Sequence, residues 1–479
     1  MRCWHGFCWY SSRLSALDNR HASHAKKSKK TVKHKAHAPA LVPEINLGSH
    51  ISWLLKQIPC SKLARQTGLV QRKPRKISPL AYLKAGLLLV TEHTISLSTW
   101  AILLGLVTHQ TISKQAVFEQ LDPSAVNFFN SVLACVLGLA IARPKCLSLD
   151  WNCPFRRILV QDSTTAKLSE KLADIFPGGA NQHGETPGVL RIQAVYDLLK
   201  QQWVSFGLSS YRRNDQKASP DILTHVRKGD LILRDLGYFA IAVLQQIGLR
   251  NAYFLSRYYF HTALFDTHGQ RLDLLKELRK RGGMDLWVHI GSKERMPARL
   301  VAVPVPETVA AERRRKARAH LKNRCQLSKE YLALQGWTIY LTNVPKEVLS
   351  AKQISALYQQ RWHIEMLFKA WKSHFQLEVI SQNMSQSQLE VAICCKLLFI
   401  TMTYALPLLP PEGLNDGSER PRYYSLLKVS SLTRQCILTI LFQEFRVDVN
   451  QDFAMQLQYH GRYENRRRKN LVEKLFALA

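Results

Sequence analysis

Five short apolar runs between Phe155 and Arg257 constrain the fold of this chain more than any other feature of its sequence. They read RRILVQDST, LRIQAVYDLL, WVSFGLSS, DLILRDLG and NAYFLSR, and they are separated by turn residues and one helical stretch at 220–228. Runs of this length rich in Ile, Val and Leu are typical of buried β-strands. Together they predict a mixed α/β sheet for residues 151–257.

The block before these strands has helical patterning. Residues 1–42 combine His, Ser and Lys with an AKKSKKTVKHK run, so we expect a disordered basic arm there. Residues 43–150 are predicted to be helical, and the segment SKLARQTGL ends near Gly68, before the basic strip QRKPRK. A short helix, a glycine turn and a basic strip would suit a DNA-binding unit of helix-turn-helix kind. An ordinary helical bundle with a solvated basic face explains the pattern equally well.

The block after the strands changes character twice. Residues 258–336 are less regular and include the basic stretch ERRRKARAHLKNR, so we interpret them as an insertion. The strand-like run WTIYLTNV opens residues 337–450, where a long amphipathic helix is predicted from Ala351 to Leu377 and further helices follow. Residues 451–479 form a basic tail. The length of 479 residues favours two or three domains.

The charge of the chain indicates its partner. Lys and Arg number 67 against 35 Asp and Glu, a net charge of +32 that makes a compact chain repel itself unless it binds a polyanion. Nucleic acid is the leading candidate. A membrane surface is the competing polyanion, but the apolar runs fall short of the roughly 18 to 20 residues of a spanning helix. The first residues lack a clean apolar signal segment, so we expect no membrane partner and a cytoplasmic location.

The ten cysteines favour neither a zinc site nor a disulfide framework. They are scattered from Cys3 to Cys436 without a CxxC pair, and no His cluster has zinc-finger spacing. Buried free thiols are the better interpretation, above all for Cys394 and Cys395 in the apolar run VAICCKLLFI.

Two aspartates close predicted strands in the same way. Asp162 follows ILVQ, and Asp235 follows LILR. Acids at the ends of strands in one sheet can lie close together, where their repulsion favours a cation between them, and carboxylate oxygens suit Mg²⁺ or Mn²⁺. Each aspartate alone is explained as well by a turn residue that caps the following amides. Asp197, in AVYDLL, is interpreted as a structural acid of this kind.

A third group of candidates lies in the segment YQQRWHIEMLFKAWK. Tyr358, Arg361, Glu365 and Lys372 are spaced three, four and seven residues apart, so at about 100° per residue they share one polar stripe of a helix. Apolar residues at helical spacing occupy the neighbouring face, which would pack on the sheet. The alternative is a surface ion pair between Arg361 and Glu365, generally worth about 0.2 to 0.5 kcal/mol.

The DST strand, the DLGYF strand and the Y-x2-R-x3-E-x6-K helix together resemble the signature of bacterial insertion-sequence transposases with a DDE site. The resemblance covers about residues 155–377. It implies an RNase H-like mixed sheet flanked by helices, in two parts at 151–257 and 337–450, interrupted by a largely β insertion at 258–336. It also implies an N-terminal helical DNA-binding domain at 43–150.

The same resemblance implies Mg²⁺-dependent cleavage and strand transfer of double-stranded DNA at the ends of an insertion sequence, by a homodimer on the DNA ends. Asp162, Asp235 and Glu365 would be the catalytic carboxylates and would bind two Mg²⁺ or Mn²⁺ ions. The contacts to DNA phosphates near the cut would come from Tyr358, Arg361 and Lys372.

The hairpin step that the resemblance implies needs an aromatic surface for an unstacked base. Trp337, 28 residues before Glu365, lies where similar transposases have a stacking tryptophan, and a core role at the start of the TIYL strand is equally open. Trp287, in MDLWVHI, is the substitute candidate, although core packing is favoured for it. The basic runs at 313–318 and 466–469 favour phosphate binding over a solvated surface.

Two other functions stay open. An RNase H-like nuclease or junction resolvase would cut DNA without joining it, although the Y-R-E-K stripe disfavours this function. A relic transposase that binds DNA without catalysis is the second, suggested by the Trp- and Cys-bearing first twenty residues. The complete set of three carboxylates disfavours it.

Overall fold

The computed structural model describes residues 47–72, 76–91, 95–108, 112–141, 153–180, 186–319, 327–378, 384–404 and 425–442. The predicted basic arm at 1–42 and the predicted tail at 451–479, with its run at 466–469, lie outside the described residues.

Helices occupy the described part of the chain before the sheet. They are α1 (Leu47–Gln57), α2 (Cys60–Gln66), α3 (Pro79–Leu88), α4 (Leu97–Thr108), α5 (Lys114–Gln120) and α6 (Pro123–Ile141). The predicted stop of α2 is confirmed, since Gly68 follows it with φ of +81°, a backbone region that favours glycine. Ser78 begins α3, where its hydroxyl accepts a hydrogen bond from the amide of Ala81.

One mixed sheet forms the centre of the molecule. Its strands are β1 (Arg157–Lys167), β2 (Val189–Asp197), β3 (Gln202–Ser210), β4 (Asp230–Arg234), β5 (Tyr253–Arg257), β6 (Leu264–Phe265), β7 (Met284–Ile290), β8 (Met296–Pro304) and β9 (Trp337–Thr342). Their order is β3-β2-β1-β4-β5-β9-β8-β7-β6. β4 is parallel to β1 and to β5, whereas the other pairings are antiparallel. The predicted α/β class is therefore confirmed, and β1 to β5 have the arrangement expected of an RNase H-like core.

Helices follow and flank these strands. They are α7 (Asp215–Ala218), α8 (Ile241–Leu249), α9 (Leu274–Arg281), α10 (Glu307–Ala319), α11 (Lys329–Leu334), α12 (Ala351–Gln359), α13 (Trp362–His374), α14 (Gln386–Tyr404) and α15 (Leu426–Phe442).

The block at 258–336 extends the central sheet. Its strands β7 and β8 pair with each other, and β8 pairs with β9 over the whole length of β9. Helices α9, α10 and α11 complete the described part of the block. Because β8 pairs with β9, the strands of this block belong to the same sheet as β1 to β5.

The two faces of the sheet bury different helices. Side chains of α1 to α6 and of α12 to α15 share one core with Ile158 and Val160 of β1, whereas α8 and α9 share the other core with Leu159. Packing on the first face is close, because a Cβ on Gly86 of α3 would lie 2.7 Å from the Sγ of Cys395 in α14. Cys394 and Cys395 are free and buried, as predicted.

The helix predicted from Ala351 to Leu377 is divided into α12 and α13. At the junction, the amides of Gln360 and Arg361 donate to the carbonyls three residues earlier, at 3.0 and 3.1 Å. Such i to i+3 bonds tighten the turn. Arg361 is the residue that directly precedes α13 at this turn.

No single helix among the described residues has the length and apolar composition of a membrane span. The stretches Lys114–Gln120 and Pro123–Leu139 reach that length only together, across a bend of 72°.

Candidate active site

The parallel pairing of β1 with β4 brings Asp162 and Asp235 to the same level of the sheet. The register pairs Val160 with Leu233, and an aspartate follows two residues later on each side. Asp235 directly follows β4 as predicted, but Asp162 does not close its strand, because β1 continues to Lys167 in its pairing with β2. Val160 and Leu233 belong to the core that α13 covers. Since side chains two residues apart in a strand share a face, both aspartates lie on the face covered by α13.

The helix α13 supplies the third acid, and Arg361 connects all three. Its Nη2 lies 2.6 Å from Oε1 of Glu365, its Nε lies 3.5 Å from Oδ1 of Asp235, and its Nη1 lies 3.6 Å from Oδ2 of Asp162. The pair with Glu365 is the i,i+4 contact that the sequence allows, but it is not an isolated surface pair. The structure therefore gathers Asp162, Asp235 and Glu365 around one guanidinium.

Each aspartate also has a local turn contact. The amide of Ser163 donates to Oδ1 of Asp162 at 2.8 Å, and the amide of Gly237 donates to Oδ2 of Asp235 at 3.4 Å. These bonds leave the other oxygen of each carboxylate toward Arg361. The turn contacts and the contacts with Arg361 thus coexist in the same side chains.

The pKa values of Asp162 and Arg361 are shifted from their ordinary values. Burial raises the pKa of Asp162 to about 7, against the opposing effect of Arg361 and with a further increase from the charge of Asp235. Burial lowers the pKa of Arg361, but the surrounding acids more than offset this, so the net pKa is raised. The site therefore has a cluster of negative charge that one cation stabilises.

On the reverse face of the sheet, the residues just before the two aspartates are joined. Arg234 is fully buried, and its Nη1 donates to Oε1 of Gln161 at 2.7 Å. Its Nη2 donates to the carbonyl of Tyr238 at 2.9 Å and to the hydroxyl of Ser219. This contact holds β1 and β4 together one residue before each acid, and it also holds the turn that follows Asp235.

A further acid, Asp215, supports the same strands, and the sequence did not reveal it. Its Oδ1 accepts hydrogen bonds from the hydroxyl of Ser163 at 2.7 Å, from Nη1 of Arg191 at 2.8 Å and from Nε2 of Gln193 at 3.3 Å. A Cβ on Gly237 would lie 3.3 Å from its other oxygen. Asp215 thus lies between the segment that contains Asp162 and the turn after Asp235.

Two residues of the predicted stripe have other surroundings. Tyr358 is buried, with its hydroxyl donating to the carbonyl of Arg234 at 3.2 Å and its ring 5.3 Å from that of Tyr340. Lys372 contacts Glu378 through Nζ and Oε1 at 2.5 Å. The structure brings neither group into contact with the three acids, and Tyr358 fixes α12 against the end of β4.

The tryptophans differ in exposure. Trp337 is half-buried at the start of β9, and its indole N–H donates to the carbonyl of Gly282 at 2.6 Å. Trp287 in β7 is 41% exposed. Trp362, the first residue of α13 and a neighbour of Arg361, is 58% exposed and was not singled out from the sequence. Its adjacency to Arg361 was the available signal.

The basic run at 313–318 lies in α10, where several of its charges are paired. Arg314 contacts Glu307 at 2.5 Å, and Arg315 contacts Glu312 at 2.7 Å. Arg313 donates to the carbonyl of Trp337 at 3.3 Å and to the hydroxyl of Thr338. Part of this run therefore connects α10 to β9.

The three acids have the donor chemistry of a divalent-cation site. Carboxylate oxygens are the ligands that Mg²⁺ and Mn²⁺ prefer. Within the described ranges, however, no three His, Cys, Asp or Glu side chains lie where they could hold one ion together. Arg361 lies between the three acids, so a metal would require its guanidinium to move.

A mixed sheet with acids at the same level of two parallel strands, and a third acid on a helix against that face, defines a DDE-type phosphoryl-transfer enzyme. The sequence model described as "Transposase DDE domain" matches residues 154–398, and the chain belongs to this family. It is therefore a DDE transposase.

Relatives over most of the chain are insertion-sequence transposases. The transposase for insertion sequence element IS231B of Bacillus thuringiensis subsp. berliner is 28% identical over 71% of this chain and 75% of its own length. The IS231E transposase of Bacillus thuringiensis subsp. finitimus is 28% identical over 76% of this chain and 81% of its own. The IS1151 transposase of Clostridium perfringens is 24% identical over 67% and 72%.

Among solved structures, the synaptic complex of piggyBac transposase with hairpin DNA is similar over 87% of this chain and 86% of that chain. Its TM-score is 0.40 and its identity is 10%, a likeness too slight to carry an argument.

Proposed function

We propose that this transposase cleaves and joins double-stranded DNA at the ends of an insertion sequence, with Asp162, Asp235 and Glu365 as its metal-binding catalytic carboxylates. The observation that carries the proposal is the convergence of these three acids on one guanidinium at the sheet. Three carboxylates from separate elements would repel each other unless a cation were present, so their convergence is expected where a cation is used.

The cation would be Mg²⁺ or Mn²⁺, and three carboxylates are sufficient donors for two ions. Such ions, when bound, stabilise the negative charge of a phosphodiester exchange and activate the attacking oxygen. The chain's own part is to hold the three acids in place. Arg234 and Asp215 would do so from the reverse face.

The cationic side chains near the acids would bind phosphates of the DNA. Arg361 and Lys372 lie on α13 or at its start, and Arg257, the last residue of β5, lies level with Asp235 by the pairing of β4 with β5. The net charge of +32 supports a polyanionic partner. The role of Tyr358 would be indirect, through its contact with Arg234.

Two DNA ends have to be processed for an element to move, so the enzyme would act as a homodimer on those ends, with one site for each. It would work in the cytoplasm, where bacterial DNA is found. Trp337 would provide a stacking surface for an unpaired base if its indole were released from Gly282. Trp287 is the substitute because its ring is already partly exposed.

The test uses purified protein and a duplex that carries the terminal sequences flanking the gene. With Mg²⁺, the wild-type protein should cut at the ends and join them to target DNA. Cleavage without joining would instead indicate a nuclease or resolvase. Binding without cleavage would indicate a relic.

The stacking role is tested on the same gel, which should resolve nicked, hairpinned and released ends. W337A should nick normally and form the hairpin slowly, since the extruded base would lack its surface. W287A tests the substitute tryptophan in the same assay. Equal losses at every step in W337A would favour a core role for that residue.

A further inference from the structure

Arg361 lies at the position where the three acids face each other. Its three nitrogens contact Glu365 at 2.6 Å, Asp235 at 3.5 Å and Asp162 at 3.6 Å. Within the described ranges, no three His, Cys, Asp or Glu side chains are grouped so that they could hold one ion, and Arg361 lies between these three acids. One cation of the chain itself therefore has the place that a metal would need.

We infer that Arg361 and a divalent metal exclude each other at these acids, and that a phosphodiester of DNA releases the acids by binding Arg361. This inference rests on the proposed function. The chain itself then sets the order of binding, because the metal binds tightly only after the DNA has bound.

The exclusion follows from charge and space. A guanidinium 2.6 Å from Glu365 uses the oxygen that a metal would ligate, and a divalent cation beside it would be repelled by its positive charge. The Arg361 guanidinium and the metal are stabilised by the same negative charge. Metal affinity in the absence of DNA is therefore reduced by the free energy of the three Arg361 contacts.

The release follows from the preference of guanidinium groups for phosphate. Arginine binds phosphate with two parallel hydrogen bonds, which the looser contacts with Asp162 and Asp235 do not offer. The side chain of Arg361 is 17% exposed, so solvent and an approaching backbone phosphate can reach it. Arg361 lies at the junction of the two helices, directly before Trp362, the first residue of α13.

The coupling is reciprocal, as linkage requires. If a phosphate draws Arg361 away and raises metal affinity, a bound metal raises DNA affinity by the same factor. In the absence of DNA, the acids stay paired with Arg361. The free enzyme would therefore have little stray hydrolytic activity.

The experiment measures Mn²⁺ binding directly, by calorimetry or by the paramagnetic signal of free Mn²⁺, on the full chain. Without DNA, R361Q should bind Mn²⁺ about tenfold or more tightly than the wild type, a coupling within the usual allosteric range. K369Q is the matched control, since Lys369 is an exposed cation on the same helix without an ion pair among the described residues. It should bind Mn²⁺ as the wild type does.

A second titration adds saturating end duplex. The duplex should raise the Mn²⁺ affinity of the wild type by a similar factor and leave that of R361Q nearly unchanged. Equal affinity in wild type and R361Q without DNA would overturn the inference. So would a wild-type affinity that does not respond to duplex, a result that needs no variant to fold.

A double variant, R361Q with D162N, separates this inference from the proposed function. Loss of the tight Mn²⁺ site in the double variant supports competition at the acids, whereas its persistence overturns it. If the wild type with duplex neither binds Mn²⁺ nor cleaves, the proposed function itself fails. If it does both and only the R361Q effect is missing, the inference alone fails.

Discussion

Charged side chains at the start of the parallel pairing between β1 and β4 have different contacts from those just beyond its end. At the starting end, Arg157 and Asp230 form a buried ion pair with two hydrogen bonds, at 3.1 and 2.5 Å, and the amide of Arg227 also donates to Asp230. Five residues further along the chain from each of these residues, Asp162 and Asp235 contact Arg361 at longer distances of 3.6 and 3.5 Å.

The difference lies in the geometry of the contacts and not in the residue type, since aspartates are present at both ends. Both oxygens of Asp230 have a hydrogen bond from Arg157, so this pair stabilises the sheet and has little capacity for a ligand. Three acids share one arginine at the other end, and their negative charge is only partly compensated. The first end is suited to stability, and the second is where we propose that a cation binds and is exchanged.

The largest expected effect is on chemistry at the carboxyl end. D162N, D235N and E365Q should each lower the cleavage rate by at least about a thousandfold, since metal stabilisation of transition-state charge amounts to several kcal/mol. DNA binding should change little, because it depends mainly on cationic contacts. Single-turnover cleavage and a gel-shift titration measure the two effects, and a variant that cleaves normally would remove its residue from the site.

The next effect is on stability at the starting end. D230N leaves Arg157 buried with a weakened partner and should lower the free energy of unfolding by roughly 3 to 5 kcal/mol. Urea denaturation followed by circular dichroism measures this loss. Cleavage by the folded fraction should stay near the wild-type rate. A loss of cleavage larger than the loss of folded protein would mean that the two ends are not separate in function.

A smaller effect is expected from Asp215, which supports the acids from the reverse face. D215N should lower the cleavage rate about 10- to 100-fold, the usual range for residues that orient metal ligands. It should also raise the Mg²⁺ concentration needed for half-maximal cleavage, which a general loss of stability would not do. D221N is the matched control, since Asp221 pairs with Arg213 nearby at 2.6 Å without contacting Ser163. Equal behaviour of the two variants would contradict a positioning role for Asp215.

The last expected effect is on the pH dependence of stability. Burial raises the pKa of Asp162 to about 7, against about 3.9 in an unfolded chain. Between these values the folded state binds more protons, so this group's contribution to stability is full below about pH 4 and is lost as the pH rises to 7. Metal-free unfolding at pH 5 and pH 8 should show a steeper loss for the wild type than for D162N. Identical slopes would show that Asp162 titrates normally.

The sequence predicts the fold where each residue's neighbours are local. Apolar runs of strand length identified β1 to β5, and the shared local pattern of Asp162 and Asp235 predicted that the two acids can lie close together. The expected strand end is right for Asp235 but wrong for Asp162, because β1 continues to Lys167. The extension of the sheet was not predictable in the same way. Pairing of β8 with β9 joins residues such as Arg299 and Thr342, which are far apart in the chain.

The details of the site depended on geometry that periodicity does not contain. A uniform helical pattern gave no sign of the turn at Arg361, so the sequence could not show this side chain between the three acids. Asp215 was missed because it begins a four-residue helix in a loop rather than ending a strand. Tyr358 fits the polar stripe by spacing, yet its burial against Arg234 depends on the position of α12 on the sheet. The assigned roles of these residues stay predictions.

The order of strands in the sheet has a consequence for how the protein behaves at high concentration. An exposed edge strand is a template for pairing with another chain, and such pairing leads to aggregation. Without the block at 258–336, β9 would be such an edge; with it, that side of the sheet ends in β6, which is only two residues long. At the other edge, β3 lies against α6, and its partner β2 has an irregularity between Val195 and Tyr196. Removing the block would expose the whole six-residue length of β9, which β8 now covers, so it should cost solubility even in a variant whose acids remain in place.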